Sequence, residues 1–332
     1  MSSAPISQLT GDALSFMAVL GREMRAVDEV IRSHLHSDVA LIRQVSEYII
    51  SSGGKRLRPG LVVLSAGAFG YGGRAVYEMA AAVEFIHTAT LLHDDVVDGS
   101  GMRRGQAAAH SLFGNAASVL VGDFLYSRAF QMMVAVGNMK VLEVLADATN
   151  TIAEGEVLQL LNCRNPDVEE AGYFQVIRCK TAKLFDAAGR IGAILSGAGK
   201  MMEQRLGDYG MALGTAYQLA DDVLDYSGDA PTIGKNLGDD LAEGKVTLPL
   251  IHALRNGTPA EADVIRRAIR EGGAEEFEPV LQAIRSTGAL DYALDKARAA
   301  SVAASAAVAA LPHTLYKDCL LELATFAATR SY

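Results

Sequence analysis

The sequence has few cysteines, no excess of positive charge and no long uninterrupted apolar run. Three scattered cysteines, Cys163, Cys179 and Cys319, favour reduced, buried thiols over a disulfide framework. The formal net charge of -9 argues against nucleic acid or an anionic membrane surface as the main partner. No run of about twenty apolar residues is present, so no transmembrane segment is expected. The N-terminus lacks the basic and apolar regions of a signal peptide.

These shortages together predict a soluble cytoplasmic protein without a nucleic-acid partner. Half of the residues (50%) are hydrophobic, which is enough to bury a sizeable core and excludes general disorder. No interdomain linker and no low-complexity tail interrupts the chain, so we expect residues 1–332 to form a single domain.

Helical periodicity dominates the sequence and strand alternation is scarce, which predicts an all-α bundle of about ten or more helices. The predicted helices cover 75–98, 115–136, 139–162, 172–196, 202–226, 246–255 and several segments within 260–330. Two polar, glycine-containing stretches break this pattern. Residues 51–60 form a loop leading into a helix with Pro59 in its first turn, and residues 227–249 are long enough for a mobile lid.

The first carboxylate cluster, Asp94, Asp95 and Asp98, lies at the end of the helix predicted over 75–98. Asp94 and Asp98 are one turn apart and project along nearly the same line, with Asp95 about 100° around the helix from Asp94. These carboxylates repel one another unless a cation lies between them, and oxygen ligands that leave room for water and phosphate suit Mg²⁺. A solvated helix end is the alternative that this cluster alone leaves open.

The second cluster, Asp221, Asp222 and Asp225, repeats the D-D-x-x-D pattern. With Gln218 these residues fall at i, i+3, i+4 and i+7, which is the spacing of a core-facing stripe. Every other face of this helix is apolar. A carboxylate stripe on a buried helix must be paired, neutralised or metal-bound. Two such clusters facing one cavity predict a site for several Mg²⁺ ions.

Basic residues gather in two places near these clusters. Lys55, Arg56 and Arg58 crowd a glycine loop at a helix N-terminus, which attracts anions through its backbone N–H groups as well as its charge. Arg103 and Arg104 follow the first cluster directly, and guanidinium groups bind phosphate oxygens bidentately.

Three lysines and a histidine extend the set of candidate ligands. Lys180 and Lys245 are each followed by threonine, Lys235 lies in the predicted lid, and His87 lies two turns before Asp94 on nearly the same face. Each of them alone is more often an ordinary surface or core residue. Their occurrence together predicts two diphosphate sites, one bridged to the aspartates through Mg²⁺ and one held by basic residues. Ionising a carbon–diphosphate bond then requires an apolar, water-free cavity.

The motifs GGKRLRP, EFIHTATLLHDDVVD, MRRG, KTA, YQLADDVLD and GKVTLP resemble, in this order, those of the trans-isoprenyl diphosphate synthases (polyprenyl synthetases). The resemblance covers about residues 20–330, and FGNAASVLVGDFLYSRAFQMM and IAEGEVLQL are most similar to the bacterial octaprenyl diphosphate synthases. It implies an isoprenoid-synthase-type bundle around a deep central cavity, Mg²⁺ as the cofactor and a homodimer. Its one departure is Tyr217, where the family usually has phenylalanine.

The resemblance also implies roles for the candidate residues. Those implied to bind isopentenyl diphosphate are Lys55, Arg58, His87 and Arg104. Those implied to hold the allylic diphosphate or its cation are Arg103, Lys180, Thr181, Gln218 and Lys235. Direct Mg²⁺ ligands are Asp94, Asp98 and Asp221, whereas Asp95, Asp222 and Asp225 act more through water or hydrogen bonds to other ligands. The implied reaction is ionisation, attack by the isopentenyl double bond and proton loss, repeated on a growing chain.

The residues one turn before Asp94 predict a long product. Ala89 and Thr90 are small where, in this family, a bulky aromatic residue closes the pocket. We expect the floor to be formed by Phe130, Met132 and Met133, although core packing is the simpler interpretation of each methionine alone. The resulting hypothesis is an octaprenyl product that supplies a quinone side chain such as that of ubiquinone.

Several alternatives are compatible with part of the pattern. Within the family, a C20 geranylgeranyl synthase or a nonaprenyl or decaprenyl synthase would share all the motifs. A terpene cyclase would share the fold and one D-D-x-x-D, but its second motif is usually of an Asn/Ser/Glu type. A non-catalytic subunit is expected to lack aspartates or the glycine loop, and this sequence has both.

Overall fold

We describe a computed structural model in which residues 15–227, 237–272 and 276–329 are placed. In these ranges the chain is almost entirely helical. The first helices are α1 (Ser15–His34), α2 (Ala40–Ser51), α3 (Leu57–Gly67), α4 (Arg74–Asp98), α5 (Ala109–Phe113), α6 (Asn115–Val136) and α7 (Met139–Asn162). Those that follow are α8 (Glu170–Ile177), α9 (Lys183–Leu195), α10 (Lys200–Ser227), α11 (Asp239–Ala242), α12 (Leu248–Asn256), α13 (Pro259–Glu271), α14 (Phe277–Ser286), α15 (Ala289–Ala307) and α16 (Leu315–Thr329).

The all-α prediction is confirmed, and the boundaries predicted over 115–136 and 139–162 match α6 and α7. The helix expected over 75–98 begins one residue earlier, at Arg74. The glycine loop does lead into α3, with Pro59 in its first turn. Helices α1 and α2 were not anticipated from the sequence.

Helix α4 is the buried centre of the bundle. Its side chains from Met79 to Phe85 are almost fully buried, and all of them are apolar except Glu84, which pairs with Arg56. A helix that is apolar all round is buried rather than amphipathic. Neighbouring helices α3, α6 and α9 pack around it. The acidic end of α4 is therefore the part of this buried helix that lines a cavity.

Helix α10 joins two groups of buried apolar residues. Leu206 and Leu213 in its first half belong to the larger core, which includes α4, α6 and α9. Leu219 and Val223 in its second half belong to a smaller core built from α8 and α11 to α15. The second carboxylate cluster thus lies where the two cores meet, on a helix of 28 residues that is anchored in both.

The helix predicted over 172–196 is not continuous, because a π-helical turn, Arg178–Ala182, separates α8 from α9. Gly155 of α7 packs against this turn, and a Cβ on Gly155 would lie 2.7 Å from the backbone nitrogen of Lys180. Only glycine permits this approach. π-Helical turns widen a helix locally and are frequent at functional sites. This one presents Lys180 and Thr181 to the cavity.

A two-stranded hairpin follows α4 and was also missed. Strands β1 (Met102–Arg103) and β2 (Gln106–Ala107) pair antiparallel across the turn Arg104-Gly105. Both turn residues have positive φ, 53° for Arg104 and 75° for Gly105, as a type I′ turn requires. The turn places two consecutive arginines at the rim of the cavity.

Of the described helices, α6 is long and apolar enough to cross a membrane, by length and composition alone. It packs along α4, and Asp123 and Arg128 interrupt its apolar sequence. The absence of a transmembrane segment therefore stays a prediction.

Candidate active site

A cavity of about 620 Å³ lies between the acidic ends of α4 and α10. It brings together most of the residues that the sequence singled out. Predicted site residues on its wall are Lys55, Arg58, His87, Thr90, Asp94, Asp98, Arg103, Arg104, Lys180, Thr181, Gln218, Asp221, Asp222 and Asp225. Lys235, in the predicted lid, lies outside the described residues.

Each aspartate of the first cluster contacts a basic side chain. Lys180 Nζ lies 3.3 Å from Asp94 Oδ2, and Lys245 Nζ lies 2.7 Å from Asp98 Oδ2. Burial alone would lower the pKa of Lys245, but Asp240, Asp98 and Glu243 together raise that pKa above its usual range. Lys245 therefore remains protonated beside the carboxylates.

The third aspartate of this cluster is directed away from the cavity. Asp95 is fully buried and its Oδ1 accepts hydrogen bonds from Arg103 Nε, at 2.8 Å, and Nη2. Its Oδ2 is buried and has no hydrogen-bond partner among the described residues. Arg103 lines the cavity with the rest of its guanidinium, so Asp95 fixes the orientation of a residue expected to bind diphosphate.

In the second cluster, both oxygens of Asp222 accept hydrogen bonds. Tyr173 OH donates to Oδ2 at 2.5 Å, and Gln218 Nε2 donates to Oδ1 at 2.8 Å. Burial, with a smaller contribution from Asp240, raises the pKa of Asp222 to about 8. Thr181 in turn donates to Gln218 Oε1 at 3.0 Å. This chain of hydrogen bonds links the π-helical turn to the acidic stripe of α10.

Glu156 of α7 is a further carboxylate in the cavity to which the sequence interpretation gave no role. It accepts a hydrogen bond of 2.5 Å from Lys180 Nζ. Burial, followed by the nearby charge of Asp94, raises the pKa of Glu156 to about 7. The motif IAEGEVLQL contains two glutamates on either side of Gly155, and only the assembled structure distinguishes Glu156 in the cavity from the exposed Glu154.

Other wall residues were also missed, among them Ser100, Gln159, Tyr173, Asp240 and Glu243. They lie on α7, on α8, on the segment 239–245 and in the loop after α4, and they reach the cavity only through tertiary packing. No periodicity in the sequence marks them.

The opposite wall is basic. Arg58 lies over the ring of Phe185, with its guanidinium carbon 4.4 Å from the ring centroid, and donates from Nη1 to His87 Nε2 at 3.1 Å. Burial and the adjacent Arg58 lower the pKa of His87 well below its usual value, so His87 is neutral and accepts this hydrogen bond. Arg58 Nε is buried and has no hydrogen-bond partner in the described part of the chain. An anion is the natural partner for such a donor.

Arg104 joins this basic wall from the hairpin. Its Nη1 donates to the carbonyl oxygen of Gly53, and a Cβ on Gly54 would lie 2.7 Å from Arg104 Nη2. Glycine at position 54 therefore permits the guanidinium to lie flat on the loop before α3. Lys55 follows in the same loop, so three cations face the N-terminus of an α-helix.

The residues of the site fit Mg²⁺. The acidic side chains around the cavity offer carboxylate oxygens, which are the ligands that Mg²⁺ prefers. Within the described residues, no three Asp, Glu, His or Cys side chains converge into a complete metal cage. Mg²⁺ commonly binds through one or two carboxylates plus water and substrate phosphates, and Asp94, Asp98 and Asp221 are placed for that arrangement.

The residues expected to control product length are less closely connected to the cavity. Thr90 lines it, whereas Ala89 is buried beside it. Phe130 is half-buried, and Met132 and Met133 belong to the larger core. None of these last three lines the cavity, so their function as its floor stays a prediction.

Comparisons with known proteins identify the family of this chain. The polyprenyl synthetase family model matches residues 39–286. Octaprenyl diphosphate synthase of Escherichia coli is 54% identical over 310 residues, which are 93% of this chain and 96% of that protein. All-trans-nonaprenyl-diphosphate synthase (geranyl-diphosphate specific) of Rhodobacter capsulatus is 42% identical over 95% of this chain and 97% of its own length.

Among solved structures, a polyprenyl synthase from Caulobacter crescentus, complexed with calcium and isoprenyl diphosphate, superposes with a TM-score of 0.92. It is 47% identical, and the match covers 96% of this chain and 97% of that one. The predicted isoprenoid-synthase-type fold is confirmed by this similarity. From its sequence motifs, its fold and these relatives, the chain belongs to the polyprenyl synthetase family.

Proposed function

We propose that this chain is a Mg²⁺-dependent, long-chain trans-polyprenyl diphosphate synthase that condenses isopentenyl diphosphate with an allylic diphosphate. The observation that carries the proposal is the cavity itself. Two carboxylate clusters share it with a separate basic wall, so two diphosphates can bind at different positions. The relatives named above, whose names describe octaprenyl and nonaprenyl diphosphate synthases, support the long-chain class.

We assign the allylic diphosphate to the acidic side, with Asp94, Asp98 and Asp221 as Mg²⁺ ligands. When bound, Mg²⁺ supplies the Lewis acid that stabilises the diphosphate leaving group. Arg103 and Lys180 neutralise the remaining charge on the diphosphate oxygens. Lys235 is proposed for the same role from the sequence resemblance.

Isopentenyl diphosphate belongs on the basic wall. Arg58, Arg104 and Lys55 bind its diphosphate, and neutral His87 orients Arg58. The helix N-terminus of α3 adds backbone N–H donors. Because His87 is neutral, its Nε2 accepts the hydrogen bond from Arg58 and holds the guanidinium in place without adding a positive charge of its own.

The reaction then proceeds without a covalent bond to the protein. The allylic carbon–oxygen bond breaks, and the isopentenyl double bond attacks the allylic cation to form a new carbon–carbon bond. The proton that is lost passes to the released diphosphate, which Arg103 and Lys180 retain nearby. We assign the oxygen dipoles of Thr181 and Gln218 to stabilising the cation, because both side chains line the cavity and the hydrogen bond from Thr181 Oγ1 to Gln218 Oε1, at 3.0 Å, fixes them relative to each other.

We further propose an octaprenyl product that serves as a quinone side chain. Ala89 and Thr90 leave the space along α4 open, and Phe130, Met132 and Met133 remain our proposed floor. A nonaprenyl or geranylgeranyl product would show that other residues form the floor of the pocket.

A cytoplasmic homodimer is the proposed assembly. Large apolar side chains are exposed along one side of α6 and α7, among them Leu120 (66%), Val157 (58%), Leu160 (61%) and Leu161 (71%). Apolar patches of this kind mark protein interfaces. A second copy of the chain would cover them, and sedimentation or mass photometry measures the result.

Product mass spectrometry tests the proposed function. Purified protein is incubated with farnesyl diphosphate, excess isopentenyl diphosphate and Mg²⁺, and we expect a dominant C40 product that disappears with EDTA. D94N and D221N should each lose elongation, whereas E154Q, at an exposed position of α7, should retain it. No elongation by the wild-type protein in the presence of Mg²⁺ would refute the proposal.

A further inference from the structure

Lys245 bridges one aspartate of the first cluster and one glutamate outside it. Its Nζ lies 2.7 Å from Asp98 Oδ2 and 2.6 Å from Glu243 Oε2. Glu243 is itself held on its other oxygen, because Ser100 Oγ donates to Oε1 at 2.6 Å. The ammonium group thus has two carboxylates within reach, and only Asp98 belongs to the proposed metal site.

The chain around Glu243 is fixed independently of Lys245. Cys163 Sγ lies 3.1 Å from the backbone oxygen of Glu243, and Arg164 N donates to the oxygen of Gly244 at 2.8 Å. Both contacts join segment 239–245 to the end of α7. Glu243 would therefore stay in place if Lys245 left Asp98.

Lys180 repeats the arrangement on the other metal-site aspartate. Its Nζ lies 3.3 Å from Asp94 Oδ2 and 2.5 Å from Glu156 Oε2. Each lysine therefore contacts a cluster aspartate and a separate glutamate. Glu156 and Glu243 both lie on the cavity wall, and Glu243 is also the C-cap residue of α11, a role that uses its backbone N–H and leaves its carboxylate to Lys245 and Ser100.

A lysine and a metal ion cannot both use the same carboxylate oxygen. The two cations would repel each other at the distance of an ion pair, and Mg²⁺ tolerates little departure from its ligand geometry. In the metal-free protein, the lysines neutralise carboxylates that would otherwise repel one another. Mg²⁺ that binds through Oδ2 of Asp94 or Asp98 thus requires the lysine on that oxygen to move.

We propose that Lys245 is an exchangeable counterion: it neutralises Asp98 until Mg²⁺ binds, and Glu243 then holds it beside the incoming diphosphate. Glu243 is a positioning residue in this scheme. Lys180 and Glu156 form the equivalent pair at Asp94. The inference rests on the proposed function, because it takes Asp98 as a Mg²⁺ ligand.

The proposed exchange predicts that substituting Lys245 strengthens the binding of Mg²⁺ and weakens the binding of diphosphate. In K245M, Mg²⁺ no longer competes with Lys245 for Asp98. The variant should therefore bind Mg²⁺ alone about fivefold more tightly, which corresponds to the free energy of a partly exposed ion pair. The same variant loses a cation that faces the diphosphate. At saturating Mg²⁺ it should bind inorganic diphosphate about tenfold more weakly.

A double-mutant cycle by calorimetric titration tests Glu243. E243Q should weaken Mg²⁺ binding about threefold in the wild-type background, because Asp98 is then the one carboxylate that still hydrogen-bonds Lys245 among those described, while Asp240 acts on it through charge alone. In the K245M background, E243Q should have no effect on Mg²⁺ affinity. An equal loss in both backgrounds would mean that Glu243 acts only through its charge, and it would overturn the positioning role.

The control is E154Q, which removes an exposed carboxylate from α7 and should alter neither titration. Thermal unfolding of every variant in EDTA verifies that it is folded. If wild-type protein binds Mg²⁺ and elongates the substrate but K245M binds Mg²⁺ more weakly or unchanged, the counterion exchange alone is overturned. If wild-type protein neither binds Mg²⁺ nor elongates, the proposed function and this inference fail together.

Discussion

The pair formed by Asp95 and Arg103 gives a quantitative prediction about stability. Asp95 is 0% exposed and the Arg103 side chain 18% exposed, so R103M would leave a buried carboxylate without its partner. Breaking such a pair costs about 3–5 kcal/mol, and the partial exposure of Arg103 favours the lower end, about 3 kcal/mol. With a urea m-value of about 3 kcal/mol/M for a chain of this size, the unfolding midpoint should fall by about 1 M.

The assay is equilibrium urea unfolding, followed by circular dichroism in EDTA so that metal and substrate do not contribute. The double variant D95L/R103M replaces the whole pair with apolar side chains and should recover at least half of the loss, because no charge is then left buried. A midpoint for R103M within about 0.2 M of the wild-type value would refute this reasoning. So would a double variant that is as unstable as the sum of the two single variants.

Three further predictions concern catalysis. T90F narrows the cavity, so mass spectrometry should show products at least two isoprene units shorter, whereas A299F, at an exposed position of α15, should leave product length unchanged. R104N keeps a residue that tolerates positive φ but removes the guanidinium, so the KM for isopentenyl diphosphate should rise about tenfold with little change in Tm. Y173F removes the hydrogen bond to Asp222 and should lower kcat about tenfold; a comparable further loss in the D222N background would contradict this route.

Local sequence determined much of the fold. Long stretches rich in apolar helix-forming residues predicted α4, α6 and α7, each of which has more than twenty residues. The π-helical turn could not be predicted in this way. It depends on the packing of Gly155 against Lys180, two residues that are distant in sequence.

The residues of the candidate site also separate into those that local sequence reveals and those that it does not. The aspartates and arginines were found because each group is contiguous within one helix or loop. Tyr173 and Glu243 were missed because their importance arises from contacts with Asp222 and Lys245. Such contacts exist only once the helices are assembled.

The hairpin after α4 has a consequence for repeated turnover. Arg103 ends strand β1 and is directed to Asp95, whereas Arg104 begins the turn and is directed to the loop before α3. The two residues that we propose for the two diphosphate positions are therefore adjacent in one hairpin, and the separation of their backbones is fixed by covalent geometry. We expect the reacting ends of the two substrates to meet in the same stationary frame at every cycle, whereas the product diphosphate, which came from isopentenyl diphosphate, must move from the basic wall to the acidic side between cycles. Processive elongation needs such a stationary frame, and here six residues supply it.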